Sequence, residues 1–429
     1  MKPMKAYLNV LKLRLNMALR KEVLSNYPIF AVIDPTSFCN LRCPICPTGL
    51  RLGLRPTKAI DSELYKRIID EIGDYLFELQ IFNWGEPLLH KQTPEFIQYA
   101  KSKDITVILS TNLSMNLSDE YIQSLVKSGL DVLVVSLDGA TAETYVKYRR
   151  GGNFSLVREN MLRIHSAKER LGVYTPTVVW QFLVFRHNQH EVEIAKRNYK
   201  TWGADSLSVQ GAFAATSRYG KGYDEGLIEP STIPQYNLGL PENPAQEAKR
   251  KYTKNRPCPW LYEAFVLNAN GKVSPCCAVW DEKNDFAEYS ASSGFFDTWN
   301  SERFQRARRL FSRSQKFWDS VATSSLQTLA ETGNVAVHHS EASVNEKQLI
   351  CHKCPMYNVP FCLDIPENSL NAYAYRKTHL FLRTRNTRHL IGLLLIILMG
   401  GPPVWQFVGS ALKMRILRSF GNFDNDRID

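Results

Sequence analysis

"CNLRCPIC" (residues 39–46) holds three cysteines in the spacing C-x3-C-x2-C, five residues past a short apolar run, FAVID (30–34). Because the first 30 residues carry no export signal, thiols this close together indicate metal binding more than disulfide bonding. A zinc knuckle usually brings its second pair of ligands within about 12–20 residues. Here the nearest histidine is His90 and the next cysteine is Cys258. The spacing therefore predicts an iron–sulfur site with three protein ligands and one open position.

Five further apolar runs follow FAVID, separated by amphipathic stretches. They are mostly unalternated and rich in β-formers, which predicts strands buried on both faces. Asp61 is the predicted N-cap of the first helical stretch, DSELYKRIIDEIG. Six β–α units in series predict an α/β parallel sheet, either a partial barrel or doubly wound, with ligands at the carboxyl ends of the strands. The five runs are FELQIFN (77–83), ITVILSTN (105–112), DVLVVSLDG (131–139), TVVWQFLVF (177–185) and SLSVQGA (206–212).

These motifs, in this order, resemble the radical S-adenosylmethionine (radical SAM) superfamily, whose signature is C-x3-C-x2-C after the first strand. NWGEP (83–87) resembles that family's Gly-Glu-Pro motif, and FRHNQHE (185–191) resembles its turn after the fifth strand. STN (110–112) and VSLDG (135–139) stand where the third and fourth strands end. One departure is Ile45, where the family usually has an aromatic residue. The resemblance covers residues 30–212 and implies a partial (β/α)6 radical SAM barrel.

The resemblance also implies a cofactor site. Cys39, Cys43 and Cys46 would bind a 4Fe–4S cluster, and S-adenosylmethionine (SAM) would fill the open iron through its amine and carboxylate. Glu86 and its neighbouring backbone would receive the ammonium group, while serines would contact the ribose or methionine part. A structural zinc or iron site without catalysis is the alternative. The implied cofactor contacts are Gly85, Glu86, Pro87, Ser110, Asn112, Ser136 and Asp138.

A second cysteine region begins at Cys258, and its C-x12-G-x4-C spacing runs to Cys276. It resembles the auxiliary-cluster extension known as the SPASM domain, and FFDTWNSERFQRARR (295–309) resembles the helix of that domain. The region has six cysteines and irregular late spacing, which fits better the shortened one-cluster version called twitch. The implied ligands of a second 4Fe–4S cluster are Cys258, Cys276, Cys351 and Cys354.

Two cysteines of this region are left over, Cys277 and Cys362, and they are interpreted as buried apolar thiols. A role for Cys362 in a second or differently ligated cluster stays open, as does a structural zinc at the four implied ligands. Four thiolates saturate a cluster, so the auxiliary cluster is expected to pass electrons rather than bind substrate.

The formal net charge of +11 lies mainly at the two ends. Residues 1–29 carry six Lys/Arg against one Glu, and residues 366–429 carry nine against four Asp/Glu. This distribution indicates docking to an anionic membrane surface more than nucleic-acid binding at an active site, although solvated terminal charge is the alternative.

Residues 390–412 form an uncharged apolar run that Gly and Pro at 400–403 divide into two short halves, with basic residues on both flanks. The run predicts a shallow hairpin or interfacial anchor on the cytoplasmic face of the membrane. Leu8, Leu11, Leu15 and Leu19 share one face of a predicted N-terminal helix, and we expect that face to lie beside the anchor. The alternative is that both segments pack on the domains.

Five regions follow from these patterns. Residues 1–29 are predicted to form a basic N-terminal helix and 30–212 the radical SAM core barrel. Residues 213–256 read as a linker, 257–365 as a SPASM/twitch-like auxiliary cluster domain, and 366–429 as a basic C-terminal segment.

The predicted activity is abstraction of a hydrogen atom from a small or lipid-linked substrate, a sugar in particular. A net oxidation would be aided by the auxiliary cluster, with flavodoxin or ferredoxin as electron donor. Gln181 and Gln210 face either the pocket or the core. A peptide-modifying maturase is the second hypothesis, because only 29 residues precede the first strand and a leader-binding module needs about 80–100. A non-catalytic iron–sulfur or zinc protein that binds nucleic acid is the alternative of another class.

Overall fold

The computed structural model describes residues 2–211, 229, 231–236 and 257–311. Several predicted features lie outside these residues: most of the 213–256 linker, the 390–412 run, and Cys351, Cys354 and Cys362. Within the described residues, no helix has both the length and the apolar composition that crossing a membrane requires.

All six apolar runs form strands, and they lie side by side in chain order. Each of the first six strands is parallel to its neighbours, and β7 joins the free side of β1, also in parallel. Two short antiparallel strands, β8 and β9, complete a nine-stranded sheet. The strands are β1 Phe30–Ile33, β2 Glu78–Gln80, β3 Thr106–Thr111, β4 Val132–Ser136, β5 Thr177–Val184, β6 Ser206–Gly211, β7 Ala264–Leu267, β8 Lys272–Ser274 and β9 Ala287–Glu288.

Among the described residues, helices follow each of the first five strands, as the amphipathic stretches predicted. Asp61 caps α2, because its side chain accepts hydrogen bonds from the backbone N–H groups of Glu63 and Leu64. The helices are α1 Met4–Ala18, α2 Ser62–Ile72, α3 Thr93–Ser102, α4 Asp119–Lys127, α5 Ala142–Tyr148, α6 Phe154–Arg170, α7 Val192–Asn198, α8 Trp260–Glu263, α9 Phe295–Trp299 and α10 Glu302–Leu310.

The strands differ from the prediction in one respect: of the six predicted strands, only β1 is buried along its whole length, as its neighbour β7 also is. Along β5 buried residues alternate with partly exposed ones, and β6 is partly exposed throughout. Trp180 and Phe182 pack in the main apolar core, whereas Gln181 and Leu183 between them lie on the partly exposed face. Helices therefore cover one face of this sheet, as in a partial barrel, and the doubly wound alternative does not hold.

Helix α1 packs through the face that carries Ala6, Tyr7, Val10 and Leu13, all of which are buried. The side chains of Leu8, Leu11, Leu15 and Leu19 point the other way, into solvent. The N-terminal segment is thus part of the folded body, and only its outer surface is available for contacts.

Two buried arginines join the later strands and helices to the first part of the chain. Arg55 makes a bidentate ion pair with Asp285, with N–O distances of 2.7 and 3.0 Å. Arg308 is fully buried and donates to the backbone carbonyl oxygens of Glu22, Leu261 and Trp299. Arg55 thus fixes the segment that follows the first cysteine loop against the connection between β8 and β9, and Arg308 fixes α10 against α8, α9 and the segment that follows α1.

Candidate active site

The three N-terminal cysteines lie in the loop after β1, at the carboxyl edge of the parallel sheet. Cys43 is buried, while Cys39 and Cys46 are partly exposed. They pack with one apolar cluster that is formed by their own loop, by the end of α5 and by the end of β5. Its other members are Leu41, Ile45, Tyr148, Leu183 and Phe185. The three cysteines of the sequence signature thus line one site, and the walls of that site are apolar.

Three hydrogen-bond donors point at the sulfur atoms of this loop. The Leu41 backbone N–H and the Asn112 side-chain amide donate to Cys39 Sγ, at 3.4 and 3.6 Å. The Arg149 guanidinium donates to Cys43 Sγ at 3.9 Å. Donors of this kind stabilise thiolates and tune the potential of an iron–sulfur cluster. The residues present therefore fit the cluster that the sequence implies.

A single metal ion fits less well. Among the described residues, no three His, Cys, Asp or Glu side chains converge on a point that one ion could occupy. Burial raises the pKa of Cys39 to about 12 and that of Cys43 to about 11. Both thiols are therefore protonated at neutral pH until a metal centre displaces the protons.

The Gly-Glu-Pro loop is held against the cysteine loop by a close backbone approach. A Cβ atom on Gly85 would lie 1.7 Å from the Thr36 carbonyl oxygen, so only glycine fits. Asp34, at the end of β1, accepts hydrogen bonds from the backbone N–H groups of Trp84 and Gly85 at 3.0 and 3.3 Å. Burial raises the pKa of Asp34 to about 7.

The Glu86 side chain is buried and already fully engaged. Its two carboxylate oxygens accept from the Thr111 hydroxyl at 2.6 Å and from the backbone N–H groups of Leu88 and Asn112 at 3.1 and 2.8 Å. Glu86 therefore ties this loop to the end of β3. A contact between this loop and a cofactor ammonium stays a prediction, and it is better suited to the loop backbone than to the carboxylate. Pro87 is buried at the start of a single helical turn, Pro87–Leu89.

Asp138 belongs to the scaffold of the site. It is fully buried, and its carboxylate pairs with Arg149 Nε at 2.6 Å and accepts from the Leu183 backbone N–H at 2.7 Å. Sequence reasoning missed Arg149, which stands in the YRRGG stretch (148–152) between two helical patterns. It is a cation beside the cysteines whose side chain is only 14% exposed, and the charge pattern of the region gave no indication of this.

The remaining predicted cofactor contacts lie at the same edge of the sheet. Ser110 is partly exposed on β3, and Ser136 is the last residue of β4. Ser136 aligns with Gln181 on β5, and Gln181 aligns with Ser208 on β6. Gln210 donates to the Ser208 hydroxyl at 2.9 Å. Both glutamines that the sequence left open thus lie on the partly exposed face of the sheet.

The turn after β5 holds two segments of the site in place through the side chain of Asn188. The Asn188 side chain accepts from the Phe185 backbone N–H at 2.7 Å and donates to the Asp138 and Leu183 carbonyl oxygens. The FRHNQHE motif therefore holds the VSLDG turn and the end of β5 in place.

The described auxiliary cysteines lie together on the face of β1 that carries Phe30 and Val32, opposite the face that enters the main core. Cys258, Cys276 and Cys277 all pack against a second apolar cluster that includes Phe30 and Trp260. Cys277 is partly exposed, unlike the buried leftover thiol that the sequence suggested. The Trp84 indole N–H donates to the Val279 carbonyl at 3.1 Å, so the Gly-Glu-Pro loop touches the auxiliary loop directly.

Comparisons with known proteins agree with this arrangement. The family model described as the Radical SAM superfamily matches residues 33–193, and one described as an iron–sulfur cluster-binding domain (SPASM) matches residues 258–323. An AdoMet-dependent heme synthase of Methanosarcina barkeri is 31% identical over 126 residues, which is 29% of this chain and 36% of that protein. A PqqA peptide cyclase of Xanthomonas euvesicatoria is 23% identical over 193 residues, 41% of this chain and 49% of that protein.

This chain therefore matches less than half of the length of either relative. Among solved structures, the crystal structure of Streptococcus suis SuiB aligns with a TM-score of 0.51 at 15% identity, over 70% of this chain and 71% of that chain. That likeness shows a shared fold. The family resemblance, the fold class and the iron–sulfur and SAM cofactors expected from the sequence are confirmed.

Proposed function

We propose that this chain, whose residues 33–193 match the Radical SAM superfamily model, abstracts a hydrogen atom from a small or lipid-linked substrate. The observation that carries this proposal is the loop of Cys39, Cys43 and Cys46, whose sulfurs receive N–H donors at the carboxyl edge of a parallel sheet. The bound 4Fe–4S cluster and SAM, with an electron from a donor such as flavodoxin or ferredoxin, supply a 5′-deoxyadenosyl radical.

The protein's own contribution is to hold this site rigid and dry. The Asp138 carboxylate fixes Arg149, and Arg149 in turn faces Cys43. Asn112 donates to Cys39 while its backbone N–H is anchored by Glu86. Both side-chain contacts to the sulfurs are thus backed by a buried carboxylate, which preserves the geometry when the charge of the site changes.

Contacts to SAM follow from the two neighbouring loops. The backbone around Gly85 comes closest to the cysteine loop, and its carbonyl groups suit the cofactor ammonium. Ser110 and Ser136, at the ends of β3 and β4, suit the ribose or methionine part. The apolar side chains of Leu183 and Phe185 pack with the three cysteines and would help to exclude water from a cofactor bound there.

The substrate proposal is supported by the polar side chains on the partly exposed face of β5 and β6, called here the open face. Gln181, Ser208 and Gln210 are partly exposed, uncharged side chains that both donate and accept hydrogen bonds, and they stand on the adjacent strands β5 and β6. Ser136, which is buried at the end of β4, aligns with Gln181. Such groups match hydroxyl-rich molecules, and a sugar or lipid-linked sugar fits them. The basic ends of the chain support a location on the cytoplasmic face of an anionic membrane.

The auxiliary cysteines support a net oxidation. Cys258 and Cys276 would share a second 4Fe–4S cluster with Cys351 and Cys354, and Trp84 links their loop to the SAM site. A cluster there would accept the second electron after hydrogen abstraction. The base that takes the substrate proton stays unassigned.

A peptide-modifying activity is the second candidate. It is favoured by the similarity to a protein whose name is PqqA peptide cyclase. A peptide backbone would also find hydrogen-bond partners among the glutamines and serines of the open face.

Deuterium transfer distinguishes the two. Cells grown in D2O are separated into lipid, sugar and peptide fractions, and each fraction is incubated anaerobically with the reconstituted protein, SAM and reductant. Abstraction from the substrate places deuterium in 5′-deoxyadenosine, which mass spectrometry detects. We expect the lipid or sugar fraction to label it. Labelling by the peptide fraction alone would replace this proposal with the second candidate.

A further inference from the structure

An uninterrupted row of apolar side chains lies on the outer face of α1. These side chains are between 48% and 59% exposed, although α1 is otherwise anchored in the core. Exposed leucines scattered singly are ordinary, but five along one face of one helix form a continuous strip. The members of this strip, called here the leucine face, are Met4, Leu8, Leu11, Leu15 and Leu19.

The charged residues that α1 itself carries are all basic. Lys5 and Lys12 are exposed on its edge, and residues 1–21 contain no Asp or Glu. Lys5 also contacts Asp74 at 2.6 Å, so it sits at the border between the helix and the body. A helix with leucines on the outside and lysines along the edge has the composition of one that lies in a membrane interface. Its 15 residues are too few to span a bilayer.

The path of the chain favours the same partner. The last described residue, Phe311, accepts a hydrogen bond through its carbonyl oxygen from Arg20, at the C-terminal end of α1. Residues 312–429 therefore start next to the leucine face, and they include the uncharged apolar run 390–412 with six basic residues on its flanks. The sequence of this chain thus holds two apolar segments with basic neighbours.

We propose that the leucine face docks on an anionic lipid bilayer. A second copy of the chain fits less well, because it would bring Lys12 of both copies together and α1 carries no acidic residue to pair with it. The run 390–412 of the same chain is also flanked only by nearby basic residues, so it offers no charge complement. Anionic headgroups supply that complement and accept both apolar segments. This inference deepens the proposed membrane location and is independent of the radical chemistry.

The test uses the full chain and vesicles of phosphatidylcholine with or without phosphatidylglycerol. We expect the parent protein to sediment with the anionic vesicles and to bind less as salt rises. The double substitution Leu11→Glu/Leu15→Glu should weaken binding at least tenfold. Leu162→Glu, on the outer surface of α6 and 41% exposed, is the matched control and should bind within twofold of the parent.

Hydrogen exchange supplies a second readout on the unmodified chain, in case the double variant folds poorly. Amides of residues 4–18 should exchange more slowly when anionic vesicles are added. Unchanged vesicle binding by the double variant, or equal binding to neutral vesicles, would overturn the proposal. So would a parent dimer that the double substitution converts to monomers, because the face would then be a contact between copies. SAM cleavage by the double variant in solution reports on the proposed function separately.

Discussion

Arg55 and Asp285 offer a direct test of how the two cysteine regions are held together. Arg55 lies nine residues after Cys46, and Asp285 precedes β9. Their side chains are 7% and 3% exposed and share two hydrogen bonds. Arg55→Met keeps much of the aliphatic length of the side chain and removes the charge and the donors.

The expected loss in the free energy of unfolding arises because Arg55→Met leaves the Asp285 carboxylate buried without its partner. Asp285 would keep only the Ser274 hydroxyl, at 2.6 Å, as a side-chain donor, so a buried carboxylate would lose its cation. Removal of one partner from a buried pair costs about 3–5 kcal/mol, much of it from the charge that remains. Asp285→Asn should cost less, because Asn270 also contacts Arg55, at 3.3 Å. The double variant should be more stable than the sum of the two losses predicts, with a coupling of about 2 kcal/mol or more.

Anaerobic urea denaturation of the four proteins, followed by circular dichroism, gives the free energy of unfolding for this cycle. Lys196→Ala is the control, since Lys196 pairs with Glu193 on the surface and should change stability by about 0.5 kcal/mol or less. If Arg55→Met cost no more than this control, or if the two single losses were additive, the pair would not hold the regions together.

Three further outcomes are expected. Burial raises the pKa of Glu78 from 4.5 to about 7, so the parent protein loses stability as the pH rises between these values. Glu78→Gln should therefore be stabilising at pH 8, by on the order of 3 kcal/mol, and near neutral at pH 5, as measured by thermal unfolding; equal effects at both pH values would contradict this. Arg308→Met removes the donors of three backbone carbonyl groups and should cost roughly 3–5 kcal/mol, whereas exposed Arg309→Met should cost about 1 kcal/mol or less; similar losses would argue against the buried network. Reconstituted protein should hold about eight irons, and a variant without the three N-terminal cysteines about half of them; four irons in the parent, or stoichiometric zinc, would remove the auxiliary cluster.

The strands and the cysteine loop were predictable because their signals are local. An apolar run of β-branched residues forms a strand in almost any context, and the carboxyl ends of parallel strands share one edge. The N-cap Asp61 was predictable for the same reason. Which face of a strand is covered depends on the other layers of the fold, and the open face of β5 was therefore missed.

Long-range partners were not predictable. Asp138 stands in a family motif, but its ion pair with Arg149 depends on how α5 packs. The face of α1 that enters the core was also not evident, because Leu8 and Leu13 are equally apolar and only tertiary contacts decide between them. Cys277 joins Cys258 and Cys276 because β7 and β8 bring these segments together over β1.

SAM cleavage by Cys43→Ala tests the central claim most directly. Parent protein and variant are reconstituted anaerobically, reduced with dithionite and assayed for 5′-deoxyadenosine, with Cys277→Ala as the control for loss of a cysteine outside the N-terminal loop. The account predicts that Cys43→Ala forms no 5′-deoxyadenosine while Cys277→Ala forms it within about twofold of the parent. Cleavage by Cys43→Ala at the parent rate would contradict the assignment of this loop as the site of radical generation.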